Sequence, residues 1–297
     1  MSRPDLENSL PYPYPSGFAN SALFNRDDIV AASPTMTIMI AAVRKAARGV
    51  QRDYGELANL QVSVKGPGDY VTAADKRCEK VLRSELEKAR PGYGFLMEES
   101  GAVKGSDPDH RFIIDPIDGT TNFMHSLPLF AISVALERKG EIVAAITYNP
   151  ITDEMFTAEK GAGAFLNNHR LRVANRKDIH EALVGCGIPH RGREGQAENR
   201  AELAIIQAKA IGIRRLGSAT LDLAYVAAGR LDVFWERDLH PWDLAAGILL
   251  IREAGGFTSD CDTDANPLQT GSIIATNADL LPIVKRELAA ARKITNA

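Results

Sequence analysis

Phe112-Ile113-Ile114-Asp115-Pro116-Ile117-Asp118-Gly119-Thr120-Thr121-Asn122 reads as a short buried strand that runs into two carboxylates. The apolar triplet predicts the strand, and Asp115-Pro116 predicts its end, because proline imposes a turn. In α/β sheets ligands gather beyond the carboxyl ends of strands, so Asp115 and Asp118 are expected to project into one crevice. Two carboxylates so close repel each other unless a cation lies between them. Hard oxygen donors of this kind suit Mg²⁺, which takes a few carboxylates together with phosphate oxygens of a substrate. Gly119 lets the backbone approach a ligand, and a helical turn starting at Thr120 would face its free N–H groups to an anion. The plainer alternative is an Asp-Gly turn with Asp115 as its cap. Asp-x-x-Asp-Gly alone leaves both readings open, whereas the whole string Asp115 to Asn122 is far more specific.

Further acidic points flank this stretch. Glu98-Glu99 follows Phe95-Leu96-Met97, and spacing alone favours a solvated charge pair there. Pro241-Trp242-Asp243 opens a helix, where an Asp usually just complements the macrodipole. Its setting adds weight: Glu236 ends the preceding strand, and the small residues Ala245, Ala246 and Gly247 permit close packing. Gly217-Ser218-Ala219, between a strand and a helix, either cradles a ligand or caps the helix through Ser218. There is no Gly-x-Gly-x-x-Gly, Walker loop or Gly-x-Ser-x-Gly elbow, and the six histidines lack zinc-site spacing.

The rest of the chain frames these motifs. Ser33-Pro34 predicts a helix start, followed by an apolar stripe at Met36, Ile40, Val43, Ala47, Val50 and Tyr54. Arg44, Lys45, Arg48 and Arg52 lie off that stripe, as on a solvated face. Thr72-Ala73-Ala74-Asp75 has capping-box spacing and opens a second helix that stops before Pro91-Gly92. Residues 129–166 read as consecutive strands. Beyond them, strands at 182–188, 213–217, 231–236 and 272–276 alternate with helices near 197–211, 218–229, 242–254 and 278–294. The expected class is therefore α/β of the α+β type, with a β-rich first half and an alternating second half.

Composition narrows the function. The 297 residues carry 35 Lys and Arg against 38 Asp and Glu, a formal charge of −3 that argues against a dedicated nucleic-acid binder. Cys78, Cys186 and Cys261 are scattered, which predicts buried thiols in a reducing compartment and a cytoplasmic protein. No apolar run approaches a membrane span, and the start lacks a secretory signal. Residues 1–32, rich in Pro and Tyr, are expected to form a flexible extension. Residues 33–297 are expected to form a single catalytic body, with a metal-binding half at 33–170 and a substrate-wall half at 171–297.

The three acidic strings together, Glu98-Glu99-Ser100, Asp115 to Phe123, and Trp242-Asp243 with Ala245-Ala246-Gly247, resemble the inositol monophosphatases in content and order. The resemblance runs from about residue 33 to the C-terminus. It implies a Mg²⁺-dependent, lithium-sensitive phosphomonoesterase with a layered α/β/α/β/α sandwich, usually a homodimer. It further implies that Glu98, Asp115, Asp118, Asp243 and the carbonyl of Ile117 are metal ligands, with Glu98 rather than Glu99 as the liganding acid. Asp75 then supports Thr120, and Glu98 and Thr120 position the attacking water. Asp118, Gly119 and Thr120 receive the substrate's phosphate end, and Gly217, Ser218, Ala219 and Glu236 form the wall that meets its alcohol.

The implied reaction is hydrolysis of an inositol monophosphate, such as myo-inositol 1-phosphate, by metal-activated water. Three departures leave the alcohol open: Met97 before the Glu-Glu pair, Ser218 where some relatives have threonine, and Arg237 where an uncharged residue is common. Alternatives within the superfamily are phosphatases for fructose 1,6-bisphosphate, histidinol phosphate, a phosphoadenosine nucleotide or NADP. Thr121-Asn122-Phe123 favours the inositol branch, and Arg237, if it faces the site, favours a second anionic group. Since some bacterial relatives partner the transcription machinery, a mainly binding role is the remaining alternative. The basic face at Arg44 to Arg52 is the sequence feature that bears on it.

Overall fold

The computed structural model describes residues 32–57, 62–66, 69–189 and 194–295. The extension expected over residues 1–32 lies, apart from residue 32, outside the described residues. Helix α1 (Pro34–Gly55) starts where predicted: the Ser33 hydroxyl accepts the Met36 N–H at 3.1 Å, and proline holds the first helical position. Its stripe is buried at Met36, Val43, Ala47 and Val50, while Arg44, Lys45, Arg48 and Arg52 are exposed. A two-stranded ribbon, β1 (Val62–Gly66) and β2 (Asp69–Thr72), leads into α2 (Ala73–Ala89). There the Thr72 hydroxyl accepts the Ala74 N–H at 3.1 Å, and Asp75 accepts the Thr72 N–H at 2.9 Å, the reciprocal cap that the sequence spacing predicts.

The next eight strands form one sheet: β3 (Gly94–Met97), β4 (Gly101–Val103), β5 (His110–Asp118), β6 (Ala131–Arg138), β7 (Glu141–Asn149), β8 (Glu154–Glu159), β9 (Gly163–Leu166) and β10 (His169–Arg170). Their order is β10-β9-β8-β7-β6-β5-β3-β4, antiparallel except for the β3–β5 pair. One expectation is corrected here. Strand β5 does not stop at Asp115-Pro116 but continues to Asp118. Pro116 has no N–H for the ladder, yet a bulge absorbs it: Asp115 pairs with Ser133 and Asp118 with Ala131, three steps on β5 against two on β6. In an unbroken strand, residues three apart face opposite sides of the sheet. The extra residue brings Asp115 and Asp118 to the same side. A short helix α3 (Thr120–Met124) follows at once.

The second half builds a five-stranded sheet in the order β12-β11-β13-β15-β14, from β11 (Leu183–Cys186), β12 (Gly212–Arg214), β13 (Val233–Glu236), β14 (Phe257–Ser259) and β15 (Ile273–Thr276). Its helices are α4 (Gln196–Gln207), α5 (Ala219–Ala227), α6 (Pro241–Glu253), α7 (Pro267–Thr270) and α8 (Leu281–Thr295). Three apolar clusters define the layers. Helices α1 and α2 cover one face of the large sheet, through Val43, Leu82, Phe112 and Val134. Helices α5 and α6 fill the space between the sheets, where Leu223 and Leu249 meet Ile113 and Phe156 on one side and Phe234 and Ala275 on the other. Helices α4 and α8 cover the outer face of the small sheet through Ile206, Val284 and Trp235. This is the α/β/α/β/α sandwich, an α+β fold. Gly247 permits the tight middle layer, since a Cβ there would lie 2.4 Å from Leu223. No helix of the described residues is long and apolar enough to cross a membrane.

Candidate metal centre and active site

The C-terminal end of β5, the N-terminal ends of α5 and α6, and the end of β13 enclose a cavity of about 630 Å³. Its walls carry Glu98, Asp115, Ile117, Asp118, Gly119, Thr120, Gly217, Ser218, Ala219, Glu236 and Asp243. Residues from both halves of the sequence thus meet at one place. Asp75 lies outside the lining, fully buried behind Thr120, whose hydroxyl reaches its carboxylate at 3.3 Å and the Ile117 carbonyl at 3.1 Å.

Carboxylate oxygens of Asp115, Asp118 and Asp243 lie within 4.8 Å of one another. Each is oriented locally. Asp115 accepts the Ile117 N–H at 3.0 Å across the bulge, and Asp243 accepts the His240 N–H at 2.8 Å at the start of α6. Asp118 accepts three bonds on one oxygen, from the Ser218 hydroxyl at 2.6 Å and from the Thr220 hydroxyl and N–H, both at 2.7 Å. Glu98 is not one of the three clustered acids but stands beside Asp115, whose carboxyl it meets through a hydrogen bond. Burial pushes Asp115 well above the carboxylate range, and the charges of Glu98, Asp118 and Asp243 push it further. Burial likewise raises Asp243, reinforced by Asp118, and raises Asp118 against the opposing bonds from Ser218 and Thr220. Mutually repelling, preoriented oxygen donors are the chemistry of a hard divalent cation site, so the residues present fit such an ion.

Gly119 has φ +92°, and a Cβ there would lie 3.0 Å from the Leu129 carbonyl and 3.2 Å from that of Gly217. Only glycine lets α3 start so close to the 217–219 turn. Asn122 ties the same two segments, donating to the Leu129 carbonyl at 2.7 Å and the Leu216 carbonyl at 2.8 Å. Ser218 caps α5 through the Leu221 N–H at 3.4 Å while it also serves Asp118, so its two candidate roles coexist.

Sequence reasoning passed over Thr220, Glu79 and Arg215. Glu79 is buried four residues after Asp75 on the same face of α2, a spacing that offers a signal. It accepts the Glu99 N–H at 2.8 Å and the Ser100 hydroxyl, and so fixes the turn that carries Glu98. Arg215 lines the cavity beside Gly217. Arg237, a receptor for a second anion if it faces the site, lines the cavity and is paired with Glu202 at 2.6 Å and Asp262 at 2.5 Å.

A sequence model described as the inositol monophosphatase family matches residues 31–295. The chain belongs to that family. It is 56% identical over 265 residues to the inositol-1-monophosphatase of Mesorhizobium japonicum, covering 88% of this chain and 100% of that protein. It is 42% identical over 244 residues to the Nus factor SuhB of Salmonella typhimurium, covering 82% of this chain and 91% of the relative. Among solved structures, the extragenic suppressor protein suhB from Bartonella henselae superposes with a TM-score of 0.84 at 52% identity, over 86% of this chain and 98% of the other. Family membership makes the chain an enzyme of the phosphatase class, in a metal-dependent family, and its acidic triad is one that could hold a metal ion.

Proposed function

We propose that the protein hydrolyses an inositol monophosphate, such as myo-inositol 1-phosphate, to inositol and phosphate with Mg²⁺ as the cation. The observation that carries this reading is the set of three convergent carboxylates, Asp115, Asp118 and Asp243, at the end of a polar cavity. Together with Glu98 and the Ile117 carbonyl they would hold the ions. Bound there, a divalent cation would neutralise phosphoryl charge and acidify a water. The chain's own contribution is positioning. Glu98 and Thr120 orient the attacking water, and Asp75 and the Ile117 carbonyl fix the Thr120 hydroxyl for that task. Asp118, Gly119 and Thr120 take the phosphate end, while Gly217, Ser218, Ala219 and Glu236 bound the alcohol. Three buried unpaired cysteines support a reducing, cytoplasmic setting. We further propose that residues 33–297 act as one catalytic body in a homodimer.

The deciding experiment measures phosphate release from myo-inositol 1-phosphate by chelated protein before and after Mg²⁺ is restored. Turnover that needs Mg²⁺ and falls with Li⁺ supports the reading. Turnover indifferent to chelation, or full activity in Asp118→Asn, would falsify it. A panel with fructose 1,6-bisphosphate, histidinol phosphate and NADP then ranks the alcohol by kcat/KM. The similarity to a Nus factor favours a second reading, a role as partner of the transcription machinery. Partner capture that persists in Asp118→Asn would separate that role from catalysis.

A further inference from the structure

Glu202, on α4, is fully buried, yet it lies outside the acidic cluster on the opposite face of the small sheet. One of its oxygens takes two bonds from Arg237, at 3.2 Å from Nε and 2.6 Å from Nη2. The other takes the indole N–H of the fully buried Trp235 at 3.0 Å. A second recess of about 530 Å³ reaches Glu202 and Trp235 and meets the candidate active site at Glu236 and Arg237.

Along β13 and just beyond it, the side chains alternate. Val233 and Trp235 belong to the outer cluster with α4 and α8, and Phe234 to the middle layer. Arg237 continues the outer set through its bonds to Glu202. Glu236, between two residues anchored on the outer side, is therefore turned to the inner side, toward the cavity. Its carboxyl lies directly over the backbone of Gly187, where a Cβ would come within 1.8 Å of its carboxyl carbon. We propose that Glu202 is a positioning residue that sets which alcohol the site accepts. It anchors Trp235 and Arg237 on one side of the strand end, and so presents Glu236 as a hydroxyl acceptor while the ion pair holds the Arg237 guanidinium back from a second anionic group at the cavity wall. The ligand class favoured is an uncharged polyol carrying a single phosphate. The inference rests on the proposed phosphatase reading, which it extends from the phosphate end to the alcohol.

The test compares wild type with Glu202→Gln, which keeps the shape and a partner for the indole but removes the buried one of the two charges that hold Arg237, Asp262 being the other. Steady-state kinetics use two substrates: myo-inositol 1-phosphate and phenyl phosphate, whose alcohol has no further hydroxyl. The expected result is a rise of about three- to tenfold in KM for the inositol ester, the scale of one displaced hydrogen bond, with kcat nearly unchanged. Phenyl phosphate turnover should stay at the wild-type level, and fructose 1,6-bisphosphate should gain relative to the inositol ester. The double variant Glu202→Gln/Arg237→Met should restore much of the monophosphate preference, because the loosened cation, then held by Asp262 alone, is gone. Equal losses on both monoesters, or no change in their ratio, would overturn the proposal. If wild type turns over neither ester, the phosphatase reading fails separately. Calorimetric affinities of the inositol ester and inorganic phosphate then still read the wall, since Glu202→Gln should weaken the ester alone. Unchanged relative affinities would reject the inference, and a thermal melt of each variant checks its folding.

Discussion

At the end of β5, Asp115 and Asp118 face Asp243 within 4.8 Å, with Glu98 adjoining and, among the described residues, no arginine in hydrogen-bonding contact with any of the three. Across the cavity, at the end of β13, the buried Glu202 is matched by Arg237 and by an indole N–H. Both strand ends place acids where desolvation is costly. Among the described residues the first is compensated only in part, by the bonds from Ser218 and Thr220 and the charge of Arg215 on Asp118, while burial and mutual repulsion hold Asp115 and Asp243 well above the carboxylate range. The second is matched by an ion pair. The contrast separates function from architecture. An acid cluster that the protein has not neutralised is a receptor for a cation, whereas a neutralised acid holds neighbouring side chains in place.

The largest effect that would break this comparison concerns the cluster. Asp115→Asn should lower kcat/KM by about a hundredfold or more, as removal of one charge-stabilising group does in other active sites. Activity within a few-fold of wild type would mean that the cluster is not the reacting centre. Next comes stability: Mg²⁺ at about 100 times its Kd should contribute about 2.7 kcal/mol, raising the Tm of chelated protein by roughly 5–10 °C. Calorimetry of Asp115→Asn should show most of that rise lost.

Asp75 sharpens the picture as an intermediate case, a buried acid that, among the described residues, is met by hydroxyl and N–H groups of Thr72 and Thr120. Burial raises its pKa from 3.8 to about 6, so the fold prefers its protonated form. Its contribution is present below about pH 4 and is lost as pH rises through about 6. Asp75→Asn should therefore stabilise the chelated protein at pH 7.5 by about 2 kcal/mol, after an allowance for a weaker cap. The advantage should shrink between pH 6 and pH 4 on the same melting curves, while catalysis falls through Thr120. A constant offset across that range would contradict the assignment. The smallest effect is at the wall. Gly187→Ala drives a methyl into Glu236 and should raise KM for the inositol ester by about tenfold with little change in Tm.

Much of this was legible in the sequence because it is local. Ser33-Pro34 and Thr72 to Asp75 specify two helix starts, since caps are satisfied within one turn. Asp243 reads as a first-turn acid, and it is one, bonded to the His240 N–H. Residue pattern alone gave a strand ending at Asp115-Pro116, and the bulge overturned that end, because pairing with β6 absorbs the missing N–H of Pro116. Thr220 was invisible because its importance lies 102 residues away, on Asp118. The partner of Arg237 was hidden for the same reason, since Glu202 is 35 residues distant.

The sequence by itself determined the family, the acids and the order of elements, because each is written in residue type and short spacing. Only the tertiary structure decided which acids meet, which are compensated and which way Glu236 faces. Electrostatic energy depends on distance and desolvation through space, and one bulge residue on β5 is enough to bring Asp115 and Asp118 to one side.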